Sequence, residues 1–262
     1  MTRILFLGDI FARVGRHLTR DLLPGLKDEL KFDLALANAE NAANGRGLTT
    51  ATAKELLGYG LAALSGGNHS FKQKDIAGTL GLDSRLIRPA NYPNPCPGRG
   101  WTLLTVGQTK IGFGNLMGRL YMSPTLDCPF RAADRMLAEM SAAGAQITLI
   151  DIHAETTSEK IALAHHLDGR LGALVGTHTH VQTADAQLLP QGLAYLTDVG
   201  MTGPHDSIIG MATKEVLENF LTGRPFNFQP SESGGRLEGV LLEFDETFRA
   251  ARPPQPIVRI WS

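Results

Sequence analysis

The chain has little cysteine: two in 262 residues, Cys96 in Asn-Pro-Cys-Pro-Gly and Cys128 in Asp-Cys-Pro-Phe. That excludes a disulfide scaffold and a thiolate metal site of the Cys-x-x-Cys kind, and a reducing cytoplasm is the expected setting. It also lacks an excess of either charge. With 25 Lys and Arg against 26 Asp and Glu, there is no bulk field to hold nucleic acid or an anionic membrane, so an anionic ligand needs a local site. No dense Lys/Arg run with interleaved aromatics is present, which weakens an RNA-binding reading. Uninterrupted apolar runs of 18 residues are absent as well. The apolar opening Ile4 to Leu7 is broken at once by Gly8-Asp9, so neither a membrane span nor a signal segment is expected.

What remains is a chain with 43% hydrophobic and 19% charged residues, whose 29 glycines and 14 prolines are scattered; this excludes disorder, collagen and coiled coil. A chain of this length buries roughly three quarters of its unfolded surface on folding. Short apolar runs read as buried strands at Ile4 to Leu7, Leu34 to Ala37, Leu61 to Leu64, Ile147 to Ile150 and Ala173 to Val175. Helical spacing predicts helices over Arg13 to Leu30, Thr49 to Gly58, Arg131 to Ala143, Ser158 to His165 and Lys214 to Thr222. A hairpin is expected from Gly100 to Val106 and Lys110 to Asn115 about Gly107-Gln108-Thr109, with further strands at Pro225 to Gln229 and Gly239 to Phe244. Strand and helix alternate as in a helix-covered sheet, so the fold class is α/β. With no linker or repeat, one domain over residues 1–262 is expected, ending in a loosely held proline-rich tail at Arg252 to Pro256.

The residue types that bind metals fall almost entirely just after predicted strands. They are Asp9, Glu40 and Asn41 in Asn-Ala-Glu-Asn, Asn68 and His69 in Gly-Gly-Asn-His, His153 in Asp-Ile-His, and His178 and His180 in His-Thr-His. In an open α/β sheet the crevice beyond the carboxyl ends of the strands is where ligands bind, so five such tips can converge. Each has an ordinary reading too: Asp9 as a helix cap or turn residue, Glu40 and Asn41 as a solvated loop. Gly67 lets the backbone come close beside Asn68-His69, and the two-residue spacing of His178 and His180 aims both rings to one side of an extended chain. His17, His165, His166 and His205 lie in helical or loop contexts away from these tips.

Asp9, Glu40, Asn41, Asn68, His153, His178 and His180 are too many donors for one four-coordinate zinc. Two ions about 3.5–4 Å apart sharing a carboxylate would use them all. Two divalent cations against two carboxylates and a hydroxide leave a net charge near +1, built to receive an anion such as a phosphate ester. Nitrogen and oxygen ligands without thiolate suit iron, manganese or zinc.

The order Gly-Asp, Gly-Asn-His, lone His, His-x-His resembles the calcineurin-like metallophosphoesterases. The strings Ala-Glu-Asn-Ala-Ala-Asn-Gly-Arg-Gly-Leu-Thr, Asp-Ile-His-Ala-Glu-Thr-Thr-Ser-Glu-Lys, Gly-Thr-His-Thr-His-Val-Gln-Thr-Ala-Asp and Thr-Asp-Val-Gly-Met-Thr-Gly-Pro are similar to their bacterial YmdB-type branch, from Met1 to about Gly239. Asp9 is followed by Ile10-Phe11 where the wider superfamily has Asp-x-His, and Glu40-Asn41 stands where an aspartate usually bridges; both departures are features of that branch.

The resemblance implies a four-layer α/β sandwich. It places one metal on Asp9, Glu40, Asn41 and His180 and a second on Glu40, Asn68, His153 and His178, with His69 as proton donor. It further implies a cytoplasmic, often oligomeric phosphodiesterase of cyclic nucleotides, 2′,3′ or 3′,5′, usually loaded with iron or manganese. In-line attack of a metal-bridging hydroxide on phosphorus, with His69 protonating the leaving alkoxide, is the expected mechanism. Arg46, in the loop after Glu40, reads as a solvated arginine with a phosphate contact as its alternative. A phosphomonoesterase, an RNA-directed nuclease and a non-enzymatic nucleotide sensor stand as other readings of the same residues.

Overall fold

A computed structural model describes residues 1–261. In chain order its elements are β1 (Thr2–Leu7), β2 (Asp9–Ile10), α1 (Ala12–Leu30), β3 (Leu34–Asn38), α2 (Thr50–Gly58), β4 (Ala63–Ser65), α3 (Ile76–Leu82), β5 (Trp101–Val106), β6 (Thr109–Met117), α4 (Pro129–Ala142), β7 (Ile147–His153), α5 (Thr157–Leu167), β8 (Ala173–Thr177), β9 (Gln187–Leu188), β10 (Ala194–Leu196), β11 (Met201–Pro204), α6 (Thr213–Thr222), β12 (Gly235–Phe244) and β13 (Gln255–Ile260). One sheet runs β2-β11-β12-β1-β3-β4, with β13 on β12; the other runs β5-β6-β7-β8-β10-β9.

Period-two alternation turns these sheets into a sandwich. Ile4 and Phe6 of β1 with Leu34 and Leu36 of β3 face Ile111, Phe113, Leu149 and Val175 of the second sheet, forming a core between the sheets. Phe6 and Phe113 meet there edge to face with ring centroids 6.0 Å apart. The opposite residues, Leu5, Leu7, Ala35 and Ala37, pack under Leu23 and Leu26 of α1 and Leu56 of α2. On the far side Ile150, Ile152 and Leu174 pack under Met136 and Met140 of α4 and Leu163 and Leu167 of α5. Helices, sheet, sheet, helices make the four layers.

Strands β1, β3 and β4 are parallel, as are β6, β7, β8 and β10. Each parallel set therefore delivers its loops from the carboxyl edge, and the two edges meet at one end of the sandwich. Asn38 at the end of β3 donates from Nδ2 to Asp151 Oδ2 on β7 at 2.8 Å, across 113 residues of sequence.

Two expectations fail. The tail is not loosely held: β13 runs antiparallel to β12 through six registered pairs from Arg236↔Ile260 to Leu241↔Gln255. Pro256 has no N–H to give, which a strand pairing on one side tolerates. Pro225 to Gln229 forms no strand, because its alternating Phe226 and Phe228 find no sheet partner and Phe228 turns instead toward a cavity. The short elements α3 and β9 to β11 have too weak a periodicity to show in the sequence. No helix among the described residues is long and apolar enough to cross a membrane.

Candidate active site

The five strand ends deliver every predicted donor to one end of the sandwich. Asp9 follows β1, Glu40 and Asn41 follow β3, Asn68 and His69 follow β4, His153 ends β7, and His178 and His180 follow β8. Asp9 and His153 are fully buried, and Glu40 and Asn41 nearly so. The side chains fall into two touching groups. In the first, His153 Nε2 lies 3.0 Å from Asn68 Oδ1, 3.2 Å from Glu40 Oε1 and 3.0 Å from His178 Nδ1. In the second, Asn41 Nδ2 lies 3.2 Å from His180 Nε2 and 3.4 Å from Asp9 Oδ1, and His180 Nε2 is 3.7 Å from Asp9 Oδ1. Asp9 joins the groups, since its Oδ2 accepts the backbone N–H of His178 at 3.1 Å.

Local structure dictates this convergence. Asn38 Oδ1 accepts the backbone N–H of Glu40 at 3.0 Å, turning the chain sharply after β3 so that Glu40 points inward. A Cβ on Gly67 would lie 2.3 Å from Glu40 Oε2 and 2.4 Å from His153 Cδ2, so only glycine lets the backbone pass there. His178 and His180 both take positive φ, 101° and 63°, conformations that cost energy unless their surroundings enforce them. Asp198 enforces them. Its Oδ2 accepts from Thr179 N at 3.1 Å, Thr179 Oγ1 at 2.9 Å and the buried Lys160 Nζ at 2.9 Å, and Lys160 also donates to the Thr177 carbonyl. Breaking a buried pair of this kind costs about 3–5 kcal/mol.

Each imidazole is held by its outer nitrogen. Thr177 Oγ1 donates to Asp151 Oδ1 at 2.7 Å and so accepts from His153 Nδ1 at 2.9 Å. His180 Nδ1 donates to the Ile209 carbonyl at 2.9 Å, and His178 Nε2 lies 3.1 Å from Glu155 Oε2. His153 Nε2, His178 Nδ1 and His180 Nε2 are thereby left facing inward, the first two toward each other at 3.0 Å and beside Glu40, the third toward Asn41 Nδ2 and Asp9. Such outer partners fix the tautomers of metal-binding histidines.

Three further observations fit a cation. Glu40 Oε1 is buried without a hydrogen bond, although 3.1 Å from His69 Nδ1 and 3.2 Å from His153 Nε2. Glu40, His153 and His178 offer ligand atoms within 4.8 Å of one another. Asn41 directs Oδ1 to His69 Nδ1 at 2.9 Å and Nδ2 to the Asp9 side; a half-turn of the amide would present the oxygen there instead. The donor set of carboxylates, amides and imidazoles suits divalent ions of intermediate hardness.

Electrostatics carry the same sign. Burial disfavours the charged form of Glu40, yet His153 and His69 outweigh it and hold the carboxyl well below its usual range. Asp9 is likewise lowered against its burial by His180. Burial opposes a charge on His153, but Glu40 and Asp9 push its pKa up to about 9, while burial and the His153 charge push His178 down to about 3. One proton is thus shared by two facing nitrogens. A cation must displace it, so metal affinity should fall about tenfold per pH unit below pH 9, or about 100-fold from pH 8 to pH 6. Manganese titrations at the two pH values check this, and a pH-independent dissociation constant would contradict it.

Sequence reasoning passed over the layer beneath. Asp151, fully buried and pushed up to about 6 by burial, accepts from Ser65 Oγ at 2.5 Å, Thr177 Oγ1 at 2.7 Å and Asn38 Nδ2 at 2.8 Å. The motif Asp-Ile-His pointed at it, since alternation turns Asp151 to the same side as His153, but in a strand it reads as a further donor. His17, His165, His166 and His205 stay outside the site as expected; His205 accepts from Arg236 Nε at 3.0 Å.

Above the donors opens a cavity of about 360 Å³, walled by Glu40, Asn41, His69, His178 and His180 on the floor and by Phe11, Arg46, Met211 and Phe228 outside. Phe11 packs edge to face on His180 at 5.6 Å. A two-sheet sandwich with such a floor at its carboxyl edge is the architecture of the calcineurin-like metallophosphoesterases. A 5′-nucleotidase precursor from Thermus thermophilus shares the fold, with a TM-score of 0.61 and 14% identity over 99% of this chain and 54% of that one. Within that class the chain belongs to the YmdB-like protein family, whose model matches residues 5–257. It is 43% identical over 249 residues to the 2′,3′-cyclic-nucleotide 2′-phosphodiesterase of Bacillus subtilis (strain 168), covering 95% of this chain and 94% of the relative. A phosphatase from Mycoplasma pneumoniae superposes with a TM-score of 0.93 and 32% identity, over 99% of this chain and 93% of that one.

Proposed function

We propose that the chain is a metal-dependent phosphodiesterase that opens 2′,3′-cyclic nucleotides. The observation that carries the metal reading is the gathering of three inward-facing imidazole nitrogens beside the buried carboxylates of Asp9 and Glu40, each ring being held from outside by its other nitrogen. The cyclic substrate is supported by the 43% identity to the Bacillus subtilis enzyme of that name. Asp9, Glu40, Asn41 and His180 would hold one divalent ion and Glu40, Asn68, His153 and His178 a second, with Glu40 between them. Bound there, the ions supply Lewis-acid activation of water and offset the charge on the phosphoryl oxygens. Iron or manganese suits these nitrogen and oxygen donors, with zinc as the alternative.

The remaining work belongs to the chain. His69 accepts neither burial nor full coordination: it lines the cavity, its backbone N–H donates to Glu40 Oε2 at 2.9 Å, and Nδ1 is engaged by Asn41 Oδ1 at 2.9 Å. That leaves Nε2 for the substrate. Water adds to phosphorus, the P–O2′ bond breaks, and His69 delivers a proton to the departing 2′-oxygen; the product is a 3′-phosphomonoester.

A hydrolysis panel with elemental analysis tests the reading. The purified protein should contain about two transition-metal ions per chain and lose turnover on chelation. Among 2′,3′-cyclic nucleotides, 3′,5′-cyclic nucleotides, linear diesters and monoesters, the 2′,3′-cyclic compounds should give the highest kcat/KM, because a monoanion matches a site of net charge near +1 better than a dianion. Monoesters outranking every diester would overturn it.

A further inference from the structure

The active-site cavity has a neighbour beyond its outer wall. Arg46, Met211 and Phe228 also form the inner wall of a second cavity of about 660 Å³, which extends past Arg13, Asn44 and Asn227. The two spaces therefore lie side by side, with Arg46, Met211 and Phe228 standing between them. The outer space is the larger of the two.

The outer part has the chemistry of a nucleotide subsite. Arg46 is exposed, and among the described residues its guanidinium makes no hydrogen bond or ion pair, while its carbonyl accepts from Gln73 Nε2. Arg13 reaches Glu232 Oε1 at 2.8 Å, but both are more than half exposed, and a solvated pair of that kind yields readily to a phosphate. Glu232 is the one acidic residue in this part of the wall. Phe228, half-buried between the two spaces, offers a ring on which a base can stack. Arg13, Arg46 and Phe228 lie far apart along the chain, and Phe228 comes beside the two arginines from the segment that the Met211↔Pro230 bridge closes.

We propose that this outer cleft is a second nucleotide subsite and that the chain acts preferentially on oligoribonucleotides ending in a 2′,3′-cyclic phosphate. This rests on the phosphodiesterase reading above. On a ribose, the 2′,3′-cyclic phosphate and the 5′-carbon project from opposite edges of the ring. With the phosphate over His69, His178 and His180, the 5′-carbon leads outward to Arg46 and Phe228. In a mononucleotide it carries a hydroxyl; in an oligonucleotide it carries a phosphodiester whose negative charge falls between Arg46 and Arg13, and the preceding base meets Phe228. The bond chemistry is unchanged: water adds to the terminal phosphorus, the P–O2′ bond breaks, and the internal diester stays intact.

The test compares the manganese-loaded protein on adenylyl-(3′→5′)-adenosine 2′,3′-cyclic phosphate and on adenosine 2′,3′-cyclic phosphate. The dinucleotide should have a kcat/KM roughly tenfold or more higher, chiefly through KM, and raising salt should shrink the ratio as the phosphate contact is screened. In a doubly substituted Arg13→Ala, Phe228→Ala variant the ratio should fall toward one. A ratio of one or less in the parent protein, or one unchanged in the variant, would overturn the subsite. Binding of the product dinucleotide and of adenosine 3′-monophosphate to the same protein gives an independent readout. Equal dissociation constants overturn the subsite even if turnover fails, whereas tighter dinucleotide binding without hydrolysis of either cyclic compound overturns the phosphodiesterase reading alone.

Discussion

Replacing Glu40 with glutamine is expected to lower kcat/KM by on the order of 10⁴ or more and to reduce the bound metal from about two ions per chain to less than one. The size of the effect follows from where Glu40 sits. Its Oε1 is a buried oxygen without a hydrogen bond, between His153 and His69, and its Oε2 is fixed by the His69 N–H at 2.9 Å. The proposed ligand sets both use this carboxylate, so neutralising it removes a charge from each, whereas losing Asn68 or Asn41 weakens one. Glutamine preserves volume and can keep the contact to His69 N, so the melting temperature should change little. Metal content by elemental analysis, kinetics on adenosine 2′,3′-cyclic phosphate and a thermal melt separate the outcomes. A variant that retains both ions and loses less than tenfold in kcat/KM would show that Glu40 is not shared between them.

The contrast between Glu40 and the residues beneath it explains what sequence could disclose. Asp9, Glu40, Asn68, His153, His178 and His180 stand after apolar runs long enough to read as strands, and chain direction in a parallel sheet sends all such ends to one edge. Their meeting needed no knowledge of distances. The support for them did. Ser65 and Asn38 are common residues in strands, and they become hydrogen-bond donors to Asp151 only because the carboxyl edges of two different sheets abut, while Thr177 reaches it from the neighbouring strand. The same holds for Lys160 and Asp198, since a lysine on a helix reads as solvated until β8 and the turn after β10 close over it. Thr-Asp-Val-Gly-Met-Thr-Gly-Pro carried the family likeness without showing its use; Asp198 within it holds the turn of His178 and His180. Pairing across distant segments was likewise hidden at the tail, where β13 finds β12, and at Phe228, whose alternation with Phe226 imitates a strand.

His69→Ala should keep both ions and lose roughly 10²–10⁴ in kcat on 2′,3′-cyclic nucleotides, whose leaving group is a poor alkoxide. The histidine is a quarter exposed and lines the cavity, while Glu40 and Asn41 engage only its Nδ1. Nothing in that arrangement requires the ring to hold a metal, and since its contacts run through Nδ1, Nε2 is available to a bound ester. An aryl leaving group separates a proton donor from a ligand. A nitrophenolate departs without needing a proton, so the acid's contribution is largely missing from that transition state and the loss on bis(p-nitrophenyl) phosphate should be much smaller. A histidine that held a metal or merely braced the loop would damage both substrates alike. Its backbone N–H, which alanine retains, still donates to Glu40, so the variant tests the ring and leaves the carboxylate in place. Equal losses on the alkyl and aryl esters, or loss of an ion from the variant, would take the proton from His69 and return it to solvent.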